Sequence, residues 1–250
     1  MFSKTVMTIL MSAVSLCAQG PPPGPGGPGG PGGRGFGGPG FGGGFGGPPQ
    51  ATITGAPYSA IQTFQSQQTL ANGNEIQRSD QGKVYRDSQG RVRTETTRDS
   101  HTMITIFDPV AGYITRLDPQ NSTAVKSALP TGAPPTPPTP PAGSTAPQTQ
   151  TEDLGSKTIN GLTATGKRTL FTIAAGTFGN AQAIQSTREV WTSTDLQVPV
   201  LSTTSDPRFG TSTSQLSSVA RAEPDASLFQ VPATYTVSTR ARRGPPPDQE

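Results

Sequence analysis

The chain has 250 residues, of which 30% are hydrophobic, with 31 Gly, 27 Pro, one Cys and one His. Its formal charge is +3, yet residues 51–237 hold fourteen Lys and Arg against fourteen Asp and Glu, so the excess lies outside that stretch. A neutral body excludes a phosphate-binding face and with it nucleic acid as a partner; one His and one Cys are too few for a zinc centre, and no cofactor is expected.

Lys4 precedes an apolar run from Thr5 to Leu16, followed by Cys17-Ala18-Gln19. That is the order of a secretory signal, and the run is short for a membrane span. A cut after Ala18 makes residues 1–18 a signal peptide and sends the product to the periplasm or outside the cell. Lipoprotein processing at Cys17 is the rival, disfavoured by the bulk of Leu16. The mature chain is expected to carry no thiol and no transmembrane domain.

Residues 20–49 contain seventeen Gly and nine Pro around Arg34, Phe36, Phe41 and Phe45. Such a stretch cannot bury enough apolar surface to offset the entropy of ordering it. Residues 19–50 therefore read as a disordered linker or tether. A second Pro-rich block, 130–150, reads as an exposed loop interrupting a β domain over 51–237, and 238–250 as a disordered tail.

Within the domain, Tyr58–Leu70 reads as a strand closed by Asn72-Gly73, a hairpin signal because both central residues need positive φ. Glu75–Arg78 pairs back. Asp80-Gln81-Gly82 is predicted to turn before Lys83–Arg86, and Asp87–Gly90 to turn again. In Arg91–Thr97 the alternation puts Arg91, Arg93 and Glu95 on a wet face. Thr102–Phe107 is apolar on both faces and reads as a central strand, with Gly112–Leu117 returning. Asp118-Pro119 has the form of a helix start, so Gln120–Leu129 is predicted as a short helix. Leu154–Ile159, Leu162–Ile173, Ile184–Thr192, Leu196–Thr204 and Ser212–Arg221 read as further strands. Asp206–Gly210 is a turn, and Pro224–Leu228 one helical turn. The fold class is mainly β: a curved antiparallel sheet of about ten strands with one or two short helices.

No catalytic constellation emerges. His101 lies between Ser100 and Thr102 without a nucleophile elbow elsewhere. The carboxylate pairs Asp87/Glu95 and Glu189/Asp195 each have Arg nearby and read as surface ion pairs, so no enzyme is expected. The aromatic residues on predicted strands, Tyr85, Phe107, Tyr113, Phe171 and Trp191, are the candidate ligand-binding residues if the sheet curves around a cavity. Alternation puts Trp191 and Glu189 on one face, which requires Glu189 to reach an edge or an Arg.

The pattern Asn160-Gly161-Leu162 to Lys167-Arg168, then Arg188–Ser193, Asp206-Pro207 and Leu228–Pro232 resembles the late strands of the LolA/LppX/RseB-like superfamily. The resemblance implies an open half-barrel whose concave face carries a lipid or lipoprotein, or senses one in the cell envelope. It implies an exported, non-catalytic binding module holding a lipid or hydrophobic peptide, with a lipid or an envelope protein as partner. The alternative is a structural envelope or matrix protein tethered by its Gly/Pro arm. The oligomeric state is left open. Strands rich in Thr, Ser and Gln, where the family uses large aliphatics, are the main departure.

Overall fold

The computed structural model describes residues 52–129, 148–177 and 179–240. The tether, residues 130–147 of the Pro-rich block, residues 241–250 of the tail and the signal-like N-terminus lie outside the described residues, whereas residues 148–150 of the predicted loop and 238–240 of the predicted tail belong to strands.

Twelve strands form one sheet. In chain order they are β1 (Tyr58–Thr69), β2 (Glu75–Arg86), β3 (Val92–Arg98), β4 (His101–Asp108), β5 (Tyr113–Asp118), β6 (Thr123–Ala128), β7 (Gln148–Ile159), β8 (Leu162–Ile173), β9 (Ile184–Ser193), β10 (Pro199–Asp206), β11 (Gly210–Ala220) and β12 (Thr236–Arg240). Across the sheet the order is β12-β6-β5-β4-β3-β2-β1-β11-β10-β9-β8-β7. The sheet is open, with β12 and β7 at its edges. Every pairing is antiparallel except β12 on β6, which is parallel. The fold is the expected mainly β, curved antiparallel half-barrel, with twelve strands where about ten were predicted.

The predicted helix over Gln120–Leu129 is instead β6. Asp118 does cap the chain locally, its carboxylate accepting from the backbone N–H of Gln120 and Asn121. Ser122 then takes a positive φ of 48°, which ends any helical turn. Thr123 and Val125 are β-branched, and the strand buries Ala124 directly opposite Leu117. One 3-10 turn, Ala226–Phe229, is the only helical element among the described residues, started by the Asp225 carboxylate accepting from Ser227 N–H. The predicted turn at Asp80-Gln81-Gly82 is also absent: β2 runs straight through it. Asp80 is 7% exposed and held by Arg98 across the sheet, 2.7 Å away.

Register and two-residue alternation define two faces. Ile104, Ile106, Leu117 and Ala124 share the inner face. Leu228, Phe229, Val231 and Tyr235 of the C-terminal segment pack onto them. Burying each such side chain contributes on the order of 1.5–3 kcal/mol. Arg93 belongs to this face too. It donates to the Leu228 carbonyl at 2.8 Å and to Glu95 at 2.7 Å, so the predicted wet face of β3 is covered by chain instead.

At the opposite side of the sheet the inner face is closed by Trp191, packed in a cluster with Ile159, Leu162, Ala164 and Leu201. Trp191 is 6% exposed. The indole lies flat across Gly166 on β8, where a Cβ would stand 2.7 Å from ring carbons. The Lys157 amine caps the ring 3.7 Å from its centroid. The sheet coils strongly here. Asn160, at the β7–β8 hairpin tip, donates through Nδ2 to the Leu216 carbonyl at 2.6 Å. That carbonyl is on β11, three strands from β8, a distance of about 14 Å in a flat sheet. Bulges at Ser59/Ile61, at Pro199/Leu201 and at Asp153/Gly155 interrupt the register and supply twist.

The outer face has its largest apolar patch at the ends of β1, β2, β10 and β11. There Tyr58, Ala60, Val84, Val200 and Leu216 pack with Leu196 from the β9–β10 loop, in one continuous core cluster with Trp191, Ile159, Leu162 and Ala164. Arg86, 2% exposed, ties this end together by donating to the carbonyls of Ala56 at 2.6 Å and Leu196 at 2.7 Å. Its guanidinium also stacks on Tyr58, 4.9 Å from the ring centroid.

Gly166 sets the position of Trp191. Gly166→Ala is expected to lift the ring, destabilising the fold by about 1–3 kcal/mol in urea unfolding and red-shifting Trp emission. An unchanged midpoint and emission would contradict the stacking.

Candidate functional site

Between the two closed ends, the inner face of β1, β2 and β11 is open. Two clefts of about 400 and 170 Å³ lie over it and share Gln65 and Thr213 on their walls. They form one trough. Thr63, Gln65 and Gln67 come from β1; Thr211, Thr213, Gln215 and Ser217 from β11; Gln77 and Ser79 from β2. Asn160 of the overhanging hairpin closes one end. Thr211 to Ser217 spans about 20 Å of strand.

The side chains that face the trough are Gln, Asn, Ser and Thr; Ser66 and Arg78, opposite each other in the ladder, border the cleft from the alternate set of β1 and β2, and Arg78 is the one charged residue at its walls. The amides are partly organised. At the open end Glu75 accepts from Gln67 Nε2 at 3.2 Å and Gln77 Nε2 at 3.3 Å. Asn160 is held by its bond to Leu216. β1 and β11 are interior strands, paired on both sides. Their backbone groups are therefore consumed by the ladder, and the trough floor offers side-chain donors and acceptors.

The five aromatic candidates do not converge. Tyr85 sits on the inner face, half-buried, against the C-terminal segment's cluster. Tyr113 is on the same face, with the Lys126 amine 4.0 Å from its ring centroid. Trp191 is packed as described. Phe107 lies on the outer face, 8% exposed, opposite Val92 and Ile114. Phe171 is also on the outer face, half-buried and opposite Thr149 and Ser186. None of the five lines the two clefts. The trough itself was visible in the sequence only as polar residues on both alternating sets of β1 and β11, a pattern without a buried face.

The carboxylates weighed for catalysis are engaged. Asp87 pairs with Arg91, Glu95 with Arg93, Glu189 with Arg168 at 3.2 Å and Asp195 with Arg221 at 2.8 Å. His101 begins β4 and is exposed. Among the described residues no three His, Cys, Asp or Glu side chains stand together as a metal site, and no helix is long and apolar enough to cross a membrane.

No family model matches the chain, and no curated protein matches it. Solved structures do. An uncharacterised conserved protein from Thermus thermophilus is 13% identical with a TM-score of 0.43, over 74% of this chain and 91% of that one. A chain of the Pseudomonas aeruginosa MucA/MucB complex is 14% identical with a TM-score of 0.44, over 77% of this chain and 62% of that one, so this chain spans less than two thirds of it. A LolA superfamily protein from Nitrosomonas europaea is 9% identical with a TM-score of 0.34, over 70% and 90%. The chain is thus similar to solved LolA superfamily members at low identity. The site described above rests on this chain's own residues.

Glu189 gives the inner face a pH handle. It accepts from Trp191 Nε1 at 2.6 Å, and that bond, with Arg168, holds its carboxyl below its ordinary value of 4.5. A lowered folded value means that the stabilisation is present above about pH 4.5 and is lost as pH falls through the lower folded value. Trp191 emission is expected to shift in that acid window, and Glu189→Gln to remove the step. A step that persists in Glu189→Gln would exclude this bond as its source.

Proposed function

We propose that the protein is an exported, non-catalytic binding module that holds its ligand in the inner-face trough. The observation supporting this is the open cleft over β1, β2 and β11, set between two closed apolar ends and lined by hydrogen-bonding side chains. Export rests on the signal-like order of the first nineteen residues. The resemblance of the late strands to the LolA/LppX/RseB-like superfamily implies a lipid or hydrophobic peptide as cargo. The lining favours a ligand that forms hydrogen bonds, because an acyl chain over these amides and hydroxyls would strip them of water without replacing it, at roughly 1–3 kcal/mol per unpaired group. The rival reading, a passive structural protein on a Gly/Pro tether, turns on residues outside the described ones.

Native mass spectrometry of protein purified from exporting cells tests the reading. A retained non-covalent mass is expected, and Thr213→Trp, which fills the trough, is expected to remove it. A chain that never retains added mass, with backbone amide signals at Gln65 and Thr213 unmoved by polar and apolar envelope extracts, would contradict it.

A further inference from the structure

We infer that the ligand of this trough is a neutral, hydroxyl-rich glycan chain lying along β1 and β11; the inference rests on the binding-module reading above. Four ligand chemistries can be compared with the same walls. An acyl chain needs apolar contact, and no apolar side chain lines either cleft. A polyanion needs several cations, and the one cation at the clefts, Arg78, belongs to the alternate set of β2 that projects from the other face. A polycation needs carboxylates, and none lines the clefts; Glu75, beside them, is occupied by Gln67 and Gln77. An extended peptide binds a sheet best by adding to a free edge, and β1 and β11 have none.

A glycan fits what remains. Each of its hydroxyls both donates and accepts, as do the hydroxyls of Thr63, Ser79, Thr211 and Thr213, while the Gln65 and Gln215 amides carry one acceptor and two donor hydrogens each. Polar side chains that are already wet lose little on pairing with such a ligand, and an open trough of about 20 Å admits a chain rather than a single sugar. The absence of charge from all but one lining residue makes the interaction insensitive to salt.

The test uses the full exported chain against three probes: an array of neutral oligosaccharides, an acidic oligosaccharide, and a fluorescent long-chain fatty acid. Binding to a neutral oligosaccharide is expected, unchanged when salt is raised to the molar range. Gln65→Ala and Thr213→Val are each expected to weaken it on the order of tenfold, as the loss of one or two hydrogen bonds implies. Unaltered Trp191 emission certifies that the variants are folded. Binding of the fatty acid alone, blocked by Thr213→Trp, would overturn the glycan while keeping the binding module. Binding of the acidic oligosaccharide alone, blocked by Thr213→Trp and lost at high salt, would do the same. Failure of all three probes would overturn both.

Discussion

A single β-sheet cannot bury itself, and this chain has no second layer of strands or helices among its described residues. Each apolar patch must be covered by something the same sheet supplies. On the inner face, the C-terminal segment covers Ile104, Ile106 and Leu117, while coiling at the other side brings Trp191, Ile159 and Leu162 together. On the outer face, the Leu196 loop and the segment before Tyr58 close one end, held by Arg86. What lies between receives no cover. Residues 62–69, 203–205 and 211–215 contain no buried side chain on either face. Thr, Ser and Gln are the residue types that such a wet, fully paired middle tolerates, because their polar groups keep water while the backbone ladder keeps the strands.

The trough is therefore a consequence of how the sheet is closed rather than an addition to it. The coil that seats Trp191 against Gly166 also carries Asn160 over β11, which turns an open surface into a walled one. The bulge near Ser218, which itself takes a positive φ of 51°, lies beside the carbonyl that Asn160 reaches. Gly210 plays a comparable part at the other end: its Cβ would collide with the Gln67 backbone, so the β10–β11 turn sits directly against β1. The edges are guarded as well. β7 carries Glu152, Asp153 and Lys157 along an interrupted register, features that discourage pairing with another chain.

Much of this was legible in the sequence where local chemistry decides. β8 spans the predicted Leu162–Ile173, and Asp206-Pro207 marks the turn between β10 and β11. Trp191 packs inward, with Glu189 relieved by Arg168, as alternation and the cost of a buried carboxylate require. Local chemistry misled where a tertiary partner took over. Asp80 and Gly82 look like a turn until Arg98 supplies a cross-strand partner. Asp118-Pro119 looks like a helix start until β5 offers an edge for Thr123–Ala128. Arg93 looks wet until the Leu228 carbonyl arrives from far along the chain. The trough was illegible for the same reason: its walls come from three strands and a hairpin tip, and only register and coiling bring Gln65, Thr213 and Asn160 together.

The central claim, that apolar ends are closed while the polar middle is open, is open to direct measurement by cysteine accessibility. With Cys17 replaced by Ser, single cysteines at Gln65, Thr213, Leu117 and Ala164 report the four places. The account predicts rapid labelling by a small thiol reagent at 65 and 213 in the native chain, and protection at 117 and 164 until denaturant is added. Equal protection at all four would mean that the trough is filled, and would contradict the account.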